Sequence, residues 1–365
     1  MTITLYGGEV SYFTGKVRAY LRWADLPFEE VIASADVYRQ VILPSVGVPV
    51  IPVLRTQSGE ILQDTTVIID TLDRDRANGP PSVYPATPIR KLVALMLETY
   101  GDEWLVIPAM HYRWHYDREW AMGEFGALNA PQASAEEQFK IGGKLAVPFS
   151  NAASLLGATP DMMDAVETAY EALLAELDAH FASSPALLGA QATMADFGLI
   201  GPLYAHLYRD PTPGELMRRR APNVTRWVEE LQFQPQRLRQ PLDDGDDIPA
   251  TLLPILRRMA REQLPPLVDA AGKVSAWMAE HPDEPLPRTL GKHGFELEGR
   301  RGERILRPYS LWMVQRIRDH LKSLEPAARS QADTFLRSIG AEALIDFPDP
   351  PRLAQDKLSV RPAGN

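Results

Sequence analysis

The first seventy residues of the chain alternate between short apolar runs and polar punctuation at a spacing that predicts strands and helices in a fixed order. Thr2 to Tyr6 reads as a strand, Gly7 to Thr14 as a loop, and Gly15 to Trp23 as a helix with an exposed exit at Asp25-Leu26-Pro27. Phe28 to Ala33 reads as a second strand. A short apolar pair, Val53-Leu54, follows Ile51-Pro52, where proline is normally excluded from a strand interior. A cis X-Pro bond at the strand entrance is one geometry that reconciles the two. Gln57-Ser58-Gly59 is a turn signal between the strand at Val53-Leu54 and a fourth short strand, Glu60-Ile61-Leu62, so these two runs predict a hairpin. Asp64-Thr65 is placed to cap a helix starting near Thr66, with Val67, Ile68 and Leu72 on one face.

Beyond this point the pattern becomes helical. Residues Asp73 to Ser82 are charged and then rich in turn formers, which predicts a boundary. Ile89 to Leu105, Asp161 to Phe181 and Met194 to Leu207 have helical spacing. Thr193-Met194-Ala195-Asp196 is a capping box, in which the Asp196 carboxylate reaches back to the Thr193 N–H. Gln234 to Pro249 is polar and reads as a linker. Two helices are expected after it, Thr251–Leu264 and Leu267–His281, split by Pro265-Pro266. A hairpin is expected at 295–306 around Gly299-Arg300-Arg301-Gly302, then helices at Ser310–Leu324 and Ala327–Ile339. The predicted division is 1–75, 86–232 and 250–345.

The segment from Ile51 to Leu72 resembles the glutathione-binding half of the cytosolic glutathione transferase superfamily. That family's motif, V-P-x-L followed by L-x-E-S-x-A-I-x-x-Y-L, stands here as Ile51-Pro52-Val53-Leu54 and Leu62 to Leu72. Asp64-Thr65 replaces Glu-Ser, and Thr71 replaces the usual aromatic. Ser11 to Arg18 is similar to the active-site turn of the serine-type members, with Arg18 seven positions after Ser11. The resemblance covers roughly residues 1–232 and includes Thr193 to Leu199. It implies a thioredoxin-like α/β domain, then an all-α domain; the remaining residues form a mostly helical C-terminal extension.

The chemistry of the motif has a direct physical basis. A helix N-terminus offers free N–H groups and partial positive charge to a carboxylate, and the Asp64 carboxylate can hold an ammonium. Asp64 and Thr65 together suit the zwitterionic end of a γ-glutamyl group, while the backbone at Ile51, beside Pro52, suits an extended peptide. A plain helix cap is the alternative reading of the same pair. Ser11 is the candidate for activating glutathione: a thiol titrates near ~8.5, and a hydroxyl donating to sulfur favours the thiolate. Tyr6 is the second candidate, because tyrosine-type members carry their hydroxyl at the end of the first strand. Ser11 as an ordinary helix cap is the competing reading.

Composition narrows the chemistry. With no cysteine in 365 residues, disulfide exchange and a cysteine nucleophile are excluded. A formal charge of −10 argues against a nucleic-acid partner. No apolar run reaches the ~18 residues of a membrane span. The immediate strand, without a basic leader, predicts a cytoplasmic protein.

His111 and His115 share a helix face, but Tyr112 takes the glutamate position of a zinc motif and no third ligand follows, so no metal is expected. The family resemblance implies a substrate pocket formed by Tyr12, Phe13, Tyr100, Trp104, His111 and Trp114; core packing explains the same aromatics. Arg218-Arg219-Arg220 reads as a solvated helix end. The expected function is conjugation of glutathione, as co-substrate, to a hydrophobic electrophile, in a homodimer as the family implies. The competing readings are a non-catalytic binding protein of this fold and a glutathione-dependent isomerase or ether-cleaving enzyme.

Overall fold

The computed structural model describes residues 2–76, 79–357 and 359–363. Four strands, β1 (Ile3–Gly7), β2 (Phe28–Ile32), β3 (Val53–Arg55) and β4 (Ile61–Gln63), form a sheet in the order β2-β1-β3-β4. β1 and β2 are parallel, as their connection through α1 (Tyr12–Trp23) requires, and the other pairs are antiparallel. The register aligns Leu5 with Leu54 and Leu54 with Leu62, so the three leucines form one row on one face. That face is packed under α1 and α2 (Thr65–Asp75), where Val17, Leu21, Ile68 and Ile69 are buried. Tyr6 and Val53, paired on the opposite face, join Ile42 and Val46 of the helical segment 35–46 in a second small core. The period of two thus buries both faces of the sheet.

α1 begins at Tyr12, earlier than the Gly15 expected, because Ser11 rather than a later residue is the cap: its side chain accepts from the Thr14 N–H. The Ile51–Pro52 peptide is cis.

A helical layer follows, with α3 (Pro88–Glu103), α4 (Val106–His115), α5 (Arg118–Asn129), α6 (Ala135–Leu155), α7 (Met163–Phe181), α8 (Met194–Ala205), α9 (Pro211–Arg220) and α10 (Pro222–Phe233). Every residue of α8 is buried. It crosses α3 where two glycines meet: a Cβ on Gly101 would stand 2.2 Å from the Gly198 carbonyl oxygen. The backbones therefore touch, and no side chain can separate them. The capping box is present, with the Thr193 N–H donating to Asp196 at 2.8 Å. Asp196 also accepts from the Leu187 N–H and the Trp227 indole, and burial raises its pKa to about 6. Tyr20 and Trp23 of α1 meet Phe197 edge-on, which joins the sheet layer to the helices.

The extension starts with α11 (Leu253–Glu280), a single helix where two were expected. Pro265 and Pro266 deny hydrogen bonds to the turn before them, yet tertiary burial keeps the helix intact. Leu264, Pro266 and Leu267 are buried, and the Gln263 amide donates to the Thr99 carbonyl at 2.9 Å. A hairpin, β5 (Lys292–Leu297) and β6 (Arg300–Ile305), comes next. Its turn is two residues, Glu298-Gly299, instead of the expected Gly299 to Gly302. Both turn residues have positive φ, 47° and 73°, the geometry that matches the twist of paired strands. α12 (Tyr309–Ser323), α13 (Pro326–Ser338) and a terminal hairpin, β7 (Leu353–Asp356) and β8 (Ser359–Pro362), complete the fold. The extension lies along α3, all of whose residues from Leu92 to Glu103 are buried. Among the described residues no helix is long and apolar enough to cross a membrane.

Candidate functional site

A cleft opens where the N-terminal ends of α1 and α2 approach the C-terminal end of α3. Phe13 contributes from α1, Ile51 and Pro52 from the entrance to β3, and Gln63, Asp64 and Thr65 from the β4–α2 turn. Asp102 and Glu103 close it from α3, and Arg288, Arg307 and Tyr309 close it from the extension. Its volume is about 100 Å³. Small-molecule pockets ordinarily run from about 300 Å³ upward, and three residues of this smaller one come from the extension.

Asp64 caps α2 from a left-handed backbone, φ 81°. Its Oδ1 accepts from the Thr66 N–H at 2.9 Å and the Val67 N–H at 3.2 Å. Its Oδ2 accepts from the Tyr309 hydroxyl at 2.5 Å. Burial raises its pKa, against these hydrogen bonds and the charge of Lys16. Asp64 is thus both a helix cap and a cleft carboxylate, and one of its oxygens already meets the extension.

Behind Asp64 lies a buried charge network. The Lys16 ammonium donates to Glu98 at 3.0 Å and to Asp102 Oδ2 at 2.6 Å. Burial disfavours the Lys16 cation, but the two carboxylates overcome that and hold its pKa above the ordinary value. Glu98 also accepts from the Thr66 hydroxyl at 2.8 Å and from the Arg316 guanidinium. Burial opposes its charge, but Arg316 and Lys16 prevail and keep it ionised. Asp102 is different. Burial, with Glu98 and Asp64 nearby, outweighs Lys16 and pushes its pKa up to about 7, and its Oδ1 has no hydrogen-bond partner among the described residues. A carboxyl with a free oxygen in a cleft wall is able to meet a ligand donor or exchange a proton.

The sequence-predicted residues divide into two groups. Ile51, Pro52, Asp64, Thr65 and Phe13 are brought together in the cleft. Ser11 stands two residues before Phe13, half-buried, with its oxygen engaged by Thr14 at 3.2 Å. Arg18, seven positions on, is buried and forks onto Glu30 with two 2.6 Å bonds. Tyr6 points to the opposite face of the sheet, into the small core beside Val53 and Ile42. Tyr12 is buried, its hydroxyl on the Gly101 carbonyl at 2.5 Å.

The expected aromatic pocket of Tyr100, Trp104, His111 and Trp114 is not assembled at the cleft. Tyr100 and Trp104 donate to Glu262 of α11, at 3.2 and 3.1 Å, because the extension covers that side of α3. His111 lies between His115 and Glu167, 2.9 Å from each, and Trp114 packs in a separate cluster with Phe125. Among the described residues no group of three potential metal ligands occurs.

Gln63, Asp102, Glu103, Arg288, Arg307 and Tyr309 were not anticipated. Gln63 directly precedes the Asp64-Thr65 pair, a local signal that could have included it. The others carry no local motif.

A thioredoxin-like α/β unit with its cleft facing a helical unit is the class that this fold and site define. Residues 5–81 match the glutathione S-transferase N-terminal domain, and residues 150–230 match the glutathione S-transferase C-terminal domain. These two regions carry the N- and C-terminal domains of the glutathione S-transferase superfamily, and a mostly helical extension follows them. No curated protein matches it. Among solved structures it is similar to a glutathione S-transferase from Rhodospirillum rubrum F11, at 17% identity over 68% of this chain and 97% of that one, TM-score 0.41. It is similar to the beta-etherase LigF from Sphingobium sp. strain SYK-6, at 18% identity over 65% and 97%, TM-score 0.46. A glutathione transferase family member from Pseudomonas fluorescens Pf-5, solved with bound glutathione, is 19% identical over 66% and 100%, TM-score 0.38.

Proposed function

We propose that the protein binds glutathione in the cleft and transfers its thiolate to a hydrophobic electrophile. The observation that carries this reading is the meeting of Ile51, Asp64 and Thr65 with Phe13 at the N-terminal ends of two helices. The γ-glutamyl carboxylate sits at the Thr65 end of α2, where helix N–H groups attract an anion, and its ammonium faces Asp64 and Asp102. The peptide backbone pairs at Ile51. Ser11, at the start of α1, donates a hydrogen bond to sulfur and favours the thiolate. The thiol proton leaves to solvent, and the sulfur lone pair then forms a C–S bond to the electrophilic carbon. As it forms, halide departs from an aryl halide, the C–O bond of an epoxide opens to an alcohol protonated by water, or the C=C electron pair of an enone shifts and is protonated by water. We also infer a cytoplasmic homodimer.

Calorimetric titration of the protein and its Asp64→Ala variant with glutathione tests the reading. Binding by the wild type that is lost in the variant is the expected result. No binding by the wild type up to several millimolar overturns it. A second reading, a binding protein without transfer chemistry, is favoured by the Tyr309–Asp64 bond, which places the extension at the ammonium subsite. Binding without turnover across a panel of aryl halides, epoxides and enones would select this second reading.

A further inference from the structure

Three polar atoms of the extension have no hydrogen-bond partner among the described residues, and their side chains line one small cavity. They are Gln263 Oε1 on α11, His293 Nδ1 on β5 and Arg304 Nε on β6. The three residues are 1%, 7% and 6% exposed, so bulk solvent does not satisfy these atoms. A buried donor or acceptor left unpaired is costly, and native proteins pair nearly all of them. The cavity measures about 20 Å³. A single water needs about 10–15 Å³ of such space, so there is room for one and for nothing much larger. The other polar lining groups are engaged elsewhere: Arg307 donates to Glu103 Oε2 at 2.8 Å, and the Ser310 hydroxyl donates to the Arg307 carbonyl at 2.9 Å.

The signs of the three atoms select the occupant. Arg304 Nε carries a hydrogen and only donates. Gln263 Oε1 only accepts, and its identity is fixed by the amide nitrogen beside it, which donates to the Thr99 carbonyl at 2.9 Å. Burial and the Arg304 cation push the His293 pKa down to about 4, so its ring is neutral and Nδ1 either donates or accepts. Asp269 Oδ2 stands 3.7 Å from that nitrogen, beyond hydrogen-bond reach. An anion offers nothing to the glutamine oxygen, and a cation offers nothing to the arginine N–H. A molecule with two O–H bonds and two lone pairs serves both.

We propose that one water molecule is a fixed part of the fold here, accepting from Arg304 Nε, donating to Gln263 Oε1 and making its third bond with His293 Nδ1. The bridge clamps both strands of the β5–β6 hairpin to α11, whose Gln263 already reaches α3 through Thr99. Glu103 and Arg307 line this cavity and the cleft alike, so the water lies directly behind the cleft wall. The inference stands whatever the cleft binds.

A crystal structure of the full chain at a resolution of about 1.5 Å, with a second data set collected at long wavelength from chloride-containing buffer, tests the site. The expected result is one isolated density peak within hydrogen-bond reach of Gln263 Oε1, Arg304 Nε and His293 Nδ1, without anomalous signal. A cavity without density overturns the proposal, as does a peak that scatters anomalously as chloride does. So does a structure in which Gln263 Oε1 and Arg304 Nε are paired with protein atoms instead. A measurement in solution asks whether the water stays. In the ¹⁵N-labelled wild type, the Arg304 Nε–H signal, assigned by its loss in Arg304→Lys, is expected to show a water cross-peak with the sign of a molecule that tumbles with the protein. A cross-peak with the sign of freely diffusing water, or none, overturns a fixed bridge.

Discussion

The Tyr309 hydroxyl donates to Asp64 Oδ2 across 245 residues of sequence, and this bond ties the start of α12 to the cap of α2. Removing the donor leaves a buried carboxylate oxygen short of a partner, which costs about 1–3 kcal/mol. Tyr309→Phe is therefore expected to lower the urea midpoint without altering the m-value. The same substitution frees Asp64 Oδ2 for a ligand ammonium, so glutathione affinity rises as stability falls. A variant that is as stable as the wild type would show that the bond is energetically idle.

Ser11 is the cap of α1 and the candidate hydroxyl for the thiol, and the two roles separate experimentally. Ser11→Ala costs about 1 kcal/mol as a lost cap. As the thiol's donor its loss raises the pKa of bound glutathione, moving the pH–rate profile to higher pH, while glutathione affinity changes little. A loss of stability with an unmoved profile would assign Ser11 to capping alone.

Asp102 predicts a pH-dependent stability. Its pKa is raised to about 7, chiefly by burial, with Lys16 on α1 opposing the rise and Glu98 on its own helix and Asp64 at the start of α2 adding to it. A raised folded-state pKa favours the neutral acid, so its stabilising contribution is full below the unfolded value near ~3.9 and is lost as pH rises through about 7. The unfolding free energy of the wild type minus that of Asp102→Asn should therefore fall between roughly pH 4.5 and 7.5 and level off above. A flat difference over that range would mean that Asp102 titrates as an exposed carboxyl does.

Arg316 links the extension to both earlier units. It donates to Glu98, forks onto Asp70 at 3.1 Å and meets the Tyr84 hydroxyl at 2.5 Å. Arg316→Met leaves Glu98 buried with only Lys16 to balance it and removes the charge beside Asp70. Breaking a buried pair from one side costs about 3–5 kcal/mol, and the partial exposure of Asp70 places the effect at the low end. Limited proteolysis should then cut ahead of α12 first, at a lower urea concentration than in the wild type.

The sheet layer was legible because its signals are local. A strand period, a proline at a strand entrance and an acid at a helix start each act within a few residues, and Asp64 caps α2 as its position indicated. The capping box at Thr193 was readable for the same reason. α11 was misjudged because a proline pair is a strong local breaker, whereas the packing that overrides it comes from Thr99, more than a hundred residues upstream. The aromatics of α3 and α4 could not be assigned from their own neighbourhood. Whether Tyr100 and Trp104 face a cleft or a core depends on Glu262, which belongs to another part of the chain. Tyr309, Arg288 and Arg307 were invisible as site residues for a related reason: no spacing rule connects them to Asp64.

The placement of the cleft's last wall has a consequence for synthesis of the chain. The sheet, the Asp64 cap and α3 are all translated long before Arg288, Arg307 and Tyr309. A ribosome-bound chain that has delivered the first two layers therefore holds an unfinished site, with the inner carboxylates open to water on the side that α12 later covers. Completion of this wall is postponed until Tyr309 has been translated, long after the sheet and α3 have been made.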